Sequence, residues 1–252
     1  AETSLRKTIE INPDFADAHL NLGAVLKDLG QLHEAETSTR KALELNPNFA
    51  NAHSNLGNIF RNLGNLKEAE TSYRKAIELN PDSFQAHLNL GTVLKDLGQL
   101  QEAETSTRKA SELNPNVTNP HSNLAAILID LEKSQEALDS YLRVIEIDPS
   151  LSNIYPSITR LLNFSDPSQF NKSKLKNVFN LLLGKNDISH NELFRAFRFL
   201  YKDEIIGNQE NLDSNYTRKE LFSNQRILIE ALKKMTFEDI KLEKILTKTR
   251  KK

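Results

Sequence analysis

The sequence predicts an all-α protein, an α-solenoid of paired helices followed by a helical region that does not repeat. Three observations carry that expectation. Prolines recur at Pro13, Pro47, Pro81, Pro115 and Pro149, 34 residues apart, and their neighbours recur with them; a fixed period of this size marks stacked supersecondary units. Apolar residues between the prolines follow helical spacing, as in Ala18, Leu22, Leu26 and Leu29. Only 8 of the 252 residues are glycine and 27% are charged, a composition that fits a soluble helical protein.

The elements follow in order. Ala1-Glu2-Thr3-Ser4 matches Ala35-Glu36-Thr37-Ser38, so residues 1–15 read as the second helix of a truncated unit, with Leu5, Ile9 and Ile11 on its apolar face. That start, without an initiator Met, is expected of a fragment. Four full units follow, 16–49, 50–83, 84–117 and 118–151. In the first unit the leading helix stops at Gly30, where a left-handed residue ends the helix; Gly64 and Gly98 are its equivalents. The second helix starts near Leu32, buries Ala35, Ala42 and Leu45, and ends before Asn46-Pro47, since proline disfavours helix in the residue before it. Gly23, Gly57, Gly91 and Ala125 in first helices, and Ala35, Ala69, Ala103 and Ala137 in second helices, are small where the pair must approach closely. In the fourth unit Glu132 stands at the turn glycine and Ser134 at the leucine of Leu32, Leu66 and Leu100, so a less regular turn is expected.

These residues carry a family resemblance. Leu22-Gly23, Leu56-Gly57 and Leu90-Gly91, with alanine twelve residues later and proline twelve after that, resemble the tetratricopeptide repeat over residues 1–151. The resemblance implies a right-handed superhelix whose first helices line a concave groove. His19, His53, His87 and His121 stand where the family commonly has an aromatic residue. Residues 19–48 and 87–116 differ at three positions, Ala24/Thr92, His33/Gln101 and Leu43/Ser111, the mark of a two-repeat duplication. A surface built this way is periodic and suits extended or repetitive partners.

The groove candidates are one asparagine per unit, Asn21, Asn55, Asn89 and Asn123. They resemble the asparagine ladder in the repeat arm of peptide O-GlcNAc transferases. A carboxamide offers donors and an acceptor, so it can pair with extended backbone without reading sequence; the bland alternative is solvated or locally bonded asparagine. Asparagine is a middling helix former, so propensity does not explain its use mid-helix four times. Asn58, Lys27, Arg61 and Lys95 complete the candidate peptide-binding set. Alanine at Asn55 and Asn89 is expected to weaken binding and leave melting intact. Other family members clamp a terminal carboxylate with Lys and Arg, but the early slots here, Asp17, Asn51, Gln85 and Asn119, are neutral or acidic.

Other chemistry is excluded or disfavoured. With no cysteine there is no disulfide, thiolate metal site or thiol nucleophile. No phosphate loop, nucleophile elbow or H-E-x-x-H is present, and no cofactor is expected. The histidines cannot share one zinc: ligand nitrogens lie about 2 Å from the metal, whereas packed helices lie about 8–10 Å apart. The carboxylates Glu34, Glu36, Glu68, Glu70, Glu102 and Glu104 read as an ion-paired outer face beside Arg40, Lys41, Arg74 and Lys75. No apolar run approaches the ~20 residues of a membrane span, and a cytoplasmic protein is the default expectation.

The net charge of −1 hides an asymmetry: residues 1–164 hold 15 Lys and Arg against 22 Asp and Glu, residues 165–252 hold 18 against 12. The acidic array argues against nucleic acid. Residues 152–164 are expected to form a capping helix or degenerate fifth repeat, with Tyr155, Ile158 and Leu162 inward. Residues 165–252 then read as a helical region, with helices near 168–183, 190–206, 217–234 and 237–250 and capping boxes at Ser189/Glu192 and Thr236/Asp239. Phe194, Phe197, Phe199, Leu200 and Tyr201 read as core. Lys244, Lys248, Arg250, Lys251 and Lys252 make a basic helix end. Residues 237–250 resemble the linker before a transferase domain in bacterial repeat-methyltransferase proteins. Two functions stay open: a non-enzymatic scaffold that binds protein or peptide, or the non-catalytic, substrate-recruiting arm of a larger transferase. Oligomeric state is open.

Overall fold

A computed structural model describes residues 1–201. All regular structure among them is helical. The chain divides into two compact units, Ala1–Leu131 and Glu132–Lys252.

The first unit opens with α1 (Glu2–Ile11) and continues as antiparallel pairs: α2 (Ala16–Asp28) with α3 (Leu32–Leu45), α4 (Ala50–Asn62) with α5 (Leu66–Leu79), α6 (Phe84–Asp96) with α7 (Leu100–Leu113), then α8 (Thr118–Asp130). Each first helix of the three pairs ends on a left-handed glycine, Gly30 at φ 78°, Gly64 at 83° and Gly98 at 75°. The residue after each glycine donates its N–H back to the carbonyl five residues earlier, as Gln31 does to Leu26 at 2.9 Å, which closes the helix end. Leu29, expected inward, is 57% exposed instead, whereas its equivalents Leu63 and Leu97 are partly buried against the apolar clusters. Leu63 packs on a cluster that includes Leu22 and Leu26 of the preceding first helix, and no described first helix stands before α2 to do the same for Leu29.

The small residues sit where helices meet. Ala35, Ala69 and Ala103 are fully buried. A Cβ added at Gly57 would lie 2.7 Å from Cε1 of the Tyr73 ring, and one at Gly23 or Gly91 would strike the hydroxyl of Thr39 or Thr107. Leu56, Phe60, Tyr73, Leu90, Val93, Leu94 and Ile127 form one apolar cluster running through successive repeats. Nearest-neighbour burial of this kind is how a solenoid holds together.

Each histidine at the family's aromatic slot fastens a loop. The ring Nε2 of His19, His53, His87 and His121 lies 2.8, 2.9, 3.0 and 3.2 Å from the carbonyl oxygen of Pro13, Pro47, Pro81 and Pro115. A carbonyl only accepts, so Nε2 carries the proton. The imidazole therefore ties the inter-repeat turn to the helix that follows it.

The second unit holds α9 (Ser134–Ile147), α10 (Ile154–Phe164) and α11 (Lys172–Leu183). Glu132 adopts φ 59°, the conformation of the glycines it replaces, so the turn expected to be irregular keeps its shape on a strained residue. Ser134 is buried, and its hydroxyl donates to that of Ser165 at 2.9 Å. Tyr155, Ile158 and Leu162 point inward on α10. The helix expected from 168 begins at Lys172, because Pro167–Gln169 forms a 3-10 turn and Asn171 caps α11 through the Lys174 N–H. The helix expected from 190 begins as a 3-10 turn, His190–Leu193, without a Ser189 side-chain cap, and is α-helical over 194–201. Phe179, Phe197 and Tyr201 pack with centroids 5.5 to 6.0 Å apart, whereas Phe199 is exposed. The helices expected over 217–234 and 237–250, the Thr236/Asp239 cap and the basic end lie outside the described residues.

Candidate functional site

The first helices carry the candidate site, and helical geometry separates its two sides. On α6, His87, Leu90 and Leu94 share one face by the 3–4-residue rule, while Gln85, Asn89 and Thr92 fall on the opposite one. The ladder asparagines occupy that second face in every repeat.

Three of the four are bonded to the preceding repeat. Asn55 Nδ2 donates to Thr39 Oγ1 at 3.1 Å, Asn89 Nδ2 to Asn58 Oδ1 at 3.0 Å, and Asn123 Nδ2 to Thr92 Oγ1 at 3.2 Å. Asn58 Oδ1 also accepts the Tyr73 hydroxyl at 2.7 Å, and Gln85 Nε2 donates to Asn89 Oδ1 at 3.0 Å. Each of these three amides thus spends one N–H on the preceding repeat. Asn55 and Asn89 are only 8% and 9% exposed, so alanine at either would cost stability as well as any binding, contrary to the expectation that melting stays intact. Asn21 is exposed and has no side-chain partner among the described residues. Asn123 and Asn58 are half-buried.

The cations differ from one another. Lys27 pairs with Asp28 at 2.9 Å and Lys95 with Asp130 at 3.0 Å. Arg61 has no acidic partner among the described residues. It lies close enough to Tyr73 to oppose, weakly, the rise in that phenol's pKa that burial causes. The centre of this face therefore holds a tyrosine hydroxyl, two carboxamides and an unpaired guanidinium.

The outer face is ion-paired as expected. Arg40, Arg74 and Arg108 bond Glu36, Glu70 and Glu104 one turn earlier, at 2.8 to 3.1 Å. Arginines of this face also reach the next repeat, as Arg6 does to Glu34 at 2.7 Å and Arg74 to Glu102 at 2.6 Å. Burial alone would raise the Glu70 pKa, but hydrogen bonds from Arg74 and Lys67 hold it below the ordinary value. Among the described residues no group of His, Asp or Glu is arranged to hold a metal ion, and no helix is long and apolar enough to cross a membrane. Sequence reasoning missed Thr39 as a partner of the ladder and Tyr73 as a partner of Asn58; their signal was the alternation of Thr39, Tyr73 and Thr107 at one second-helix position.

Comparison with known proteins accords with this architecture. Tetratricopeptide repeat models match residues 16–49, 39–71, 84–117 and 120–151, and a further repeat model matches 57–98. Among solved structures, YrrB, described as a repeat protein with an unusual peptide-binding site, is 24% identical, covers 84% of this chain and 100% of its own, and has a TM-score of 0.58. MamA is 20% identical over 60% of this chain and 89% of its own, with a TM-score of 0.55. A thermophilic repeat protein of Thermus thermophilus is 22% identical over 64% of this chain and 88% of its own, with a TM-score of 0.53. A search of curated proteins finds no match. Together the repeat models account for more than half of the sequence, residues 16–117 and 120–151, and the chain belongs to the tetratricopeptide repeat family.

Proposed function

We propose that the chain is a protein-interaction scaffold that holds an extended peptide along the first-helix face. Asn21, Asn55, Asn89 and Asn123 contact its backbone, and Asn58, Lys27, Arg61 and Lys95 contribute at the centre and edge. The observation that carries this reading is the ladder itself: one carboxamide per repeat, in register, three of them held by one N–H and retaining hydrogen-bonding capacity. A tethered amide presents its remaining groups with less entropy to lose on binding. Successive pairs stack at about 10 Å, so each repeat spans about three residues of extended peptide at 3.3 Å apiece. The description of YrrB as having a peptide-binding site makes peptide the first partner class to test.

In this reading residues 1–15 are the second helix of a truncated repeat, 16–151 are four repeats, 152–164 cap them and 165–252 are a separate helical region. The same groove would serve the substrate-recruiting arm of a larger transferase, a reading that rests on the sequence resemblances alone.

The test uses the two candidates that no described side chain engages. Asn21→Ala and Arg61→Ala are expected to weaken binding to an array of twelve-residue peptides while leaving the melting curve in place. Unchanged binding in both variants would remove the groove from consideration.

A further inference from the structure

The opposite face of the array carries a second, patterned surface. A cleft of about 570 Å³ lies over α6 between α5 and α7, with Ile77, Leu90 and Leu94 among its lining and the Arg74–Glu102 ion pair across it. All ten lining residues recur unchanged 68 positions earlier, where Ile9, Leu22 and Leu26 replace the apolar three and Arg6–Glu34 repeats the bridge. The intervening repeat breaks the pattern. There Phe60 stands at the position of Leu26 and Leu94, and Arg40 lies over its ring at 5.5 Å and stays with Glu36 instead of reaching Glu68. A phenylalanine ring thus stands in the second repeat where the first and third carry leucine.

The charges select the occupant. Around the cleft, Arg74 is satisfied by Glu102 and Glu70, and Glu78 by Lys75 at 2.7 Å. Lys109, which also lines the cleft, has no acidic partner among the described residues, although its equivalents Lys41 and Lys75 each pair with a glutamate three residues on. An apolar floor beside one uncompensated ammonium matches a leucine-sized side chain next to a carboxylate.

We propose that this cleft is a docking site for a peptide carrying an apolar residue beside an acidic one. The equivalent site at Ile9, Leu22 and Leu26 takes the same motif more weakly, because Lys41 already holds Glu44 at 3.0 Å. This face reads side chains, whereas the asparagine face addresses backbone, so the two proposals stand or fall separately.

The experiment is methyl NMR on the full chain, titrated with the peptide acetyl-Gly-Leu-Glu-Gly-amide and with a control bearing Lys in place of Glu. Saturable shifts are expected at the Ile77, Leu90 and Leu94 methyls, and smaller ones at Ile9, Leu22 and Leu26. The Lys peptide should bind about two- to fivefold more weakly, the range of an exposed ion pair. Lys109→Ala should erase that preference and keep the shifts. Leu94→Phe, a residue the array already holds at Phe60, should silence Ile77 and Leu90 and leave the Ile9 site responding. Absence of saturable shifts, equal binding of the two peptides by the parent protein, or a response confined to the asparagine side-chain amides would overturn the proposal. Hexanoate binding as tightly as the Leu-Glu peptide would overturn its peptide character.

Discussion

Replacing Gly57 by alanine adds one methyl group at the most crowded point of the second repeat, and its cost can be worked from the contact. The new Cβ would lie 2.7, 2.8 and 2.9 Å from Cε1, Cδ1 and Cζ of Tyr73. Carbon atoms rest at about 3.5 Å or more, so the ring edge must retreat by roughly 0.8 Å. Tyr73 is fully buried, and its hydroxyl is tied to Asn58 at 2.7 Å, which leaves little room for that retreat. Overpacking of this kind costs about 1–3 kcal/mol, and straining the hydroxyl bond adds up to about 1 kcal/mol. Against this, alanine gains about 1 kcal/mol over glycine inside a helix. These contributions leave a net loss of about 0–3 kcal/mol with a central value near 1.5 kcal/mol, a fall of roughly 0.75 M in the urea midpoint for a slope near 2 kcal/mol/M. Circular dichroism in urea reads that shift. Tyr73→Phe frees the ring from its tether, so the double variant should lose less than the sum of the singles. A Gly57→Ala protein as stable as the parent, or more so, would refute the close-approach argument, since helix propensity would then be the whole effect. Gly57→Leu should loosen or unfold the array.

The strained turn gives an opposite prediction: Glu132→Gly should stabilise the protein by about 1 kcal/mol by relieving left-handed backbone, seen as a higher midpoint, while Gly64→Ala should cost a similar amount although nothing lies within 4 Å of its Cβ. On the acid side, Asp148 is held below the ordinary carboxylate range by the hydroxyl and backbone N–H of Ser150, and Asp166 by the backbone N–H and hydroxyl of Ser168. A lowered folded pKa contributes stability above about pH 4 that is lost as the pH falls through the folded values, so Asp148→Asn should flatten the acid limb of a stability profile. On the alkaline side, burial raises the Tyr73 phenol; that stability is present below the unfolded pKa of about 10 and lost as the pH rises, and Tyr73→Phe should flatten that limb.

The repeat period, the helix pairs and their stops were legible in the sequence because each is a local signal repeated in phase. Leucine spacing, left-handed glycine and the Asn-Pro boundary need no knowledge of what lies across the interface. The exceptions have physical reasons. Leu29 fits the apolar spacing, but the contact its equivalent Leu63 makes with the cluster of Leu22 and Leu26 is to a preceding first helix, and α2 has none before it among the described residues. Glu132 looks like a broken turn signal, yet the surrounding fold holds it in the glycine conformation. In the candidate site the asparagines were visible as a ladder, but their bonds were not. Asn55 finds Thr39 sixteen residues back, and Asn89 and Asn123 find partners 31 residues back, pairings set by how one repeat rotates onto the next. The cleft was hidden for the same reason: its lining comes from three helices.

The doubly occupied Asn58 carbonyl has a consequence for how the array comes apart. It receives one hydrogen bond from its own repeat and one from the next, so the second and third repeats share an acceptor that neither can vacate alone. In a nearest-neighbour chain, stability divides into what each unit contributes and what each junction contributes, and this junction holds more than its neighbours. Fraying should then begin at the ends and halt there. Amide protons of α4 and α6 should be the last in the array to exchange with solvent, and a Tyr73→Phe, Asn58→Ala pair of substitutions should let the array melt as two shorter pieces.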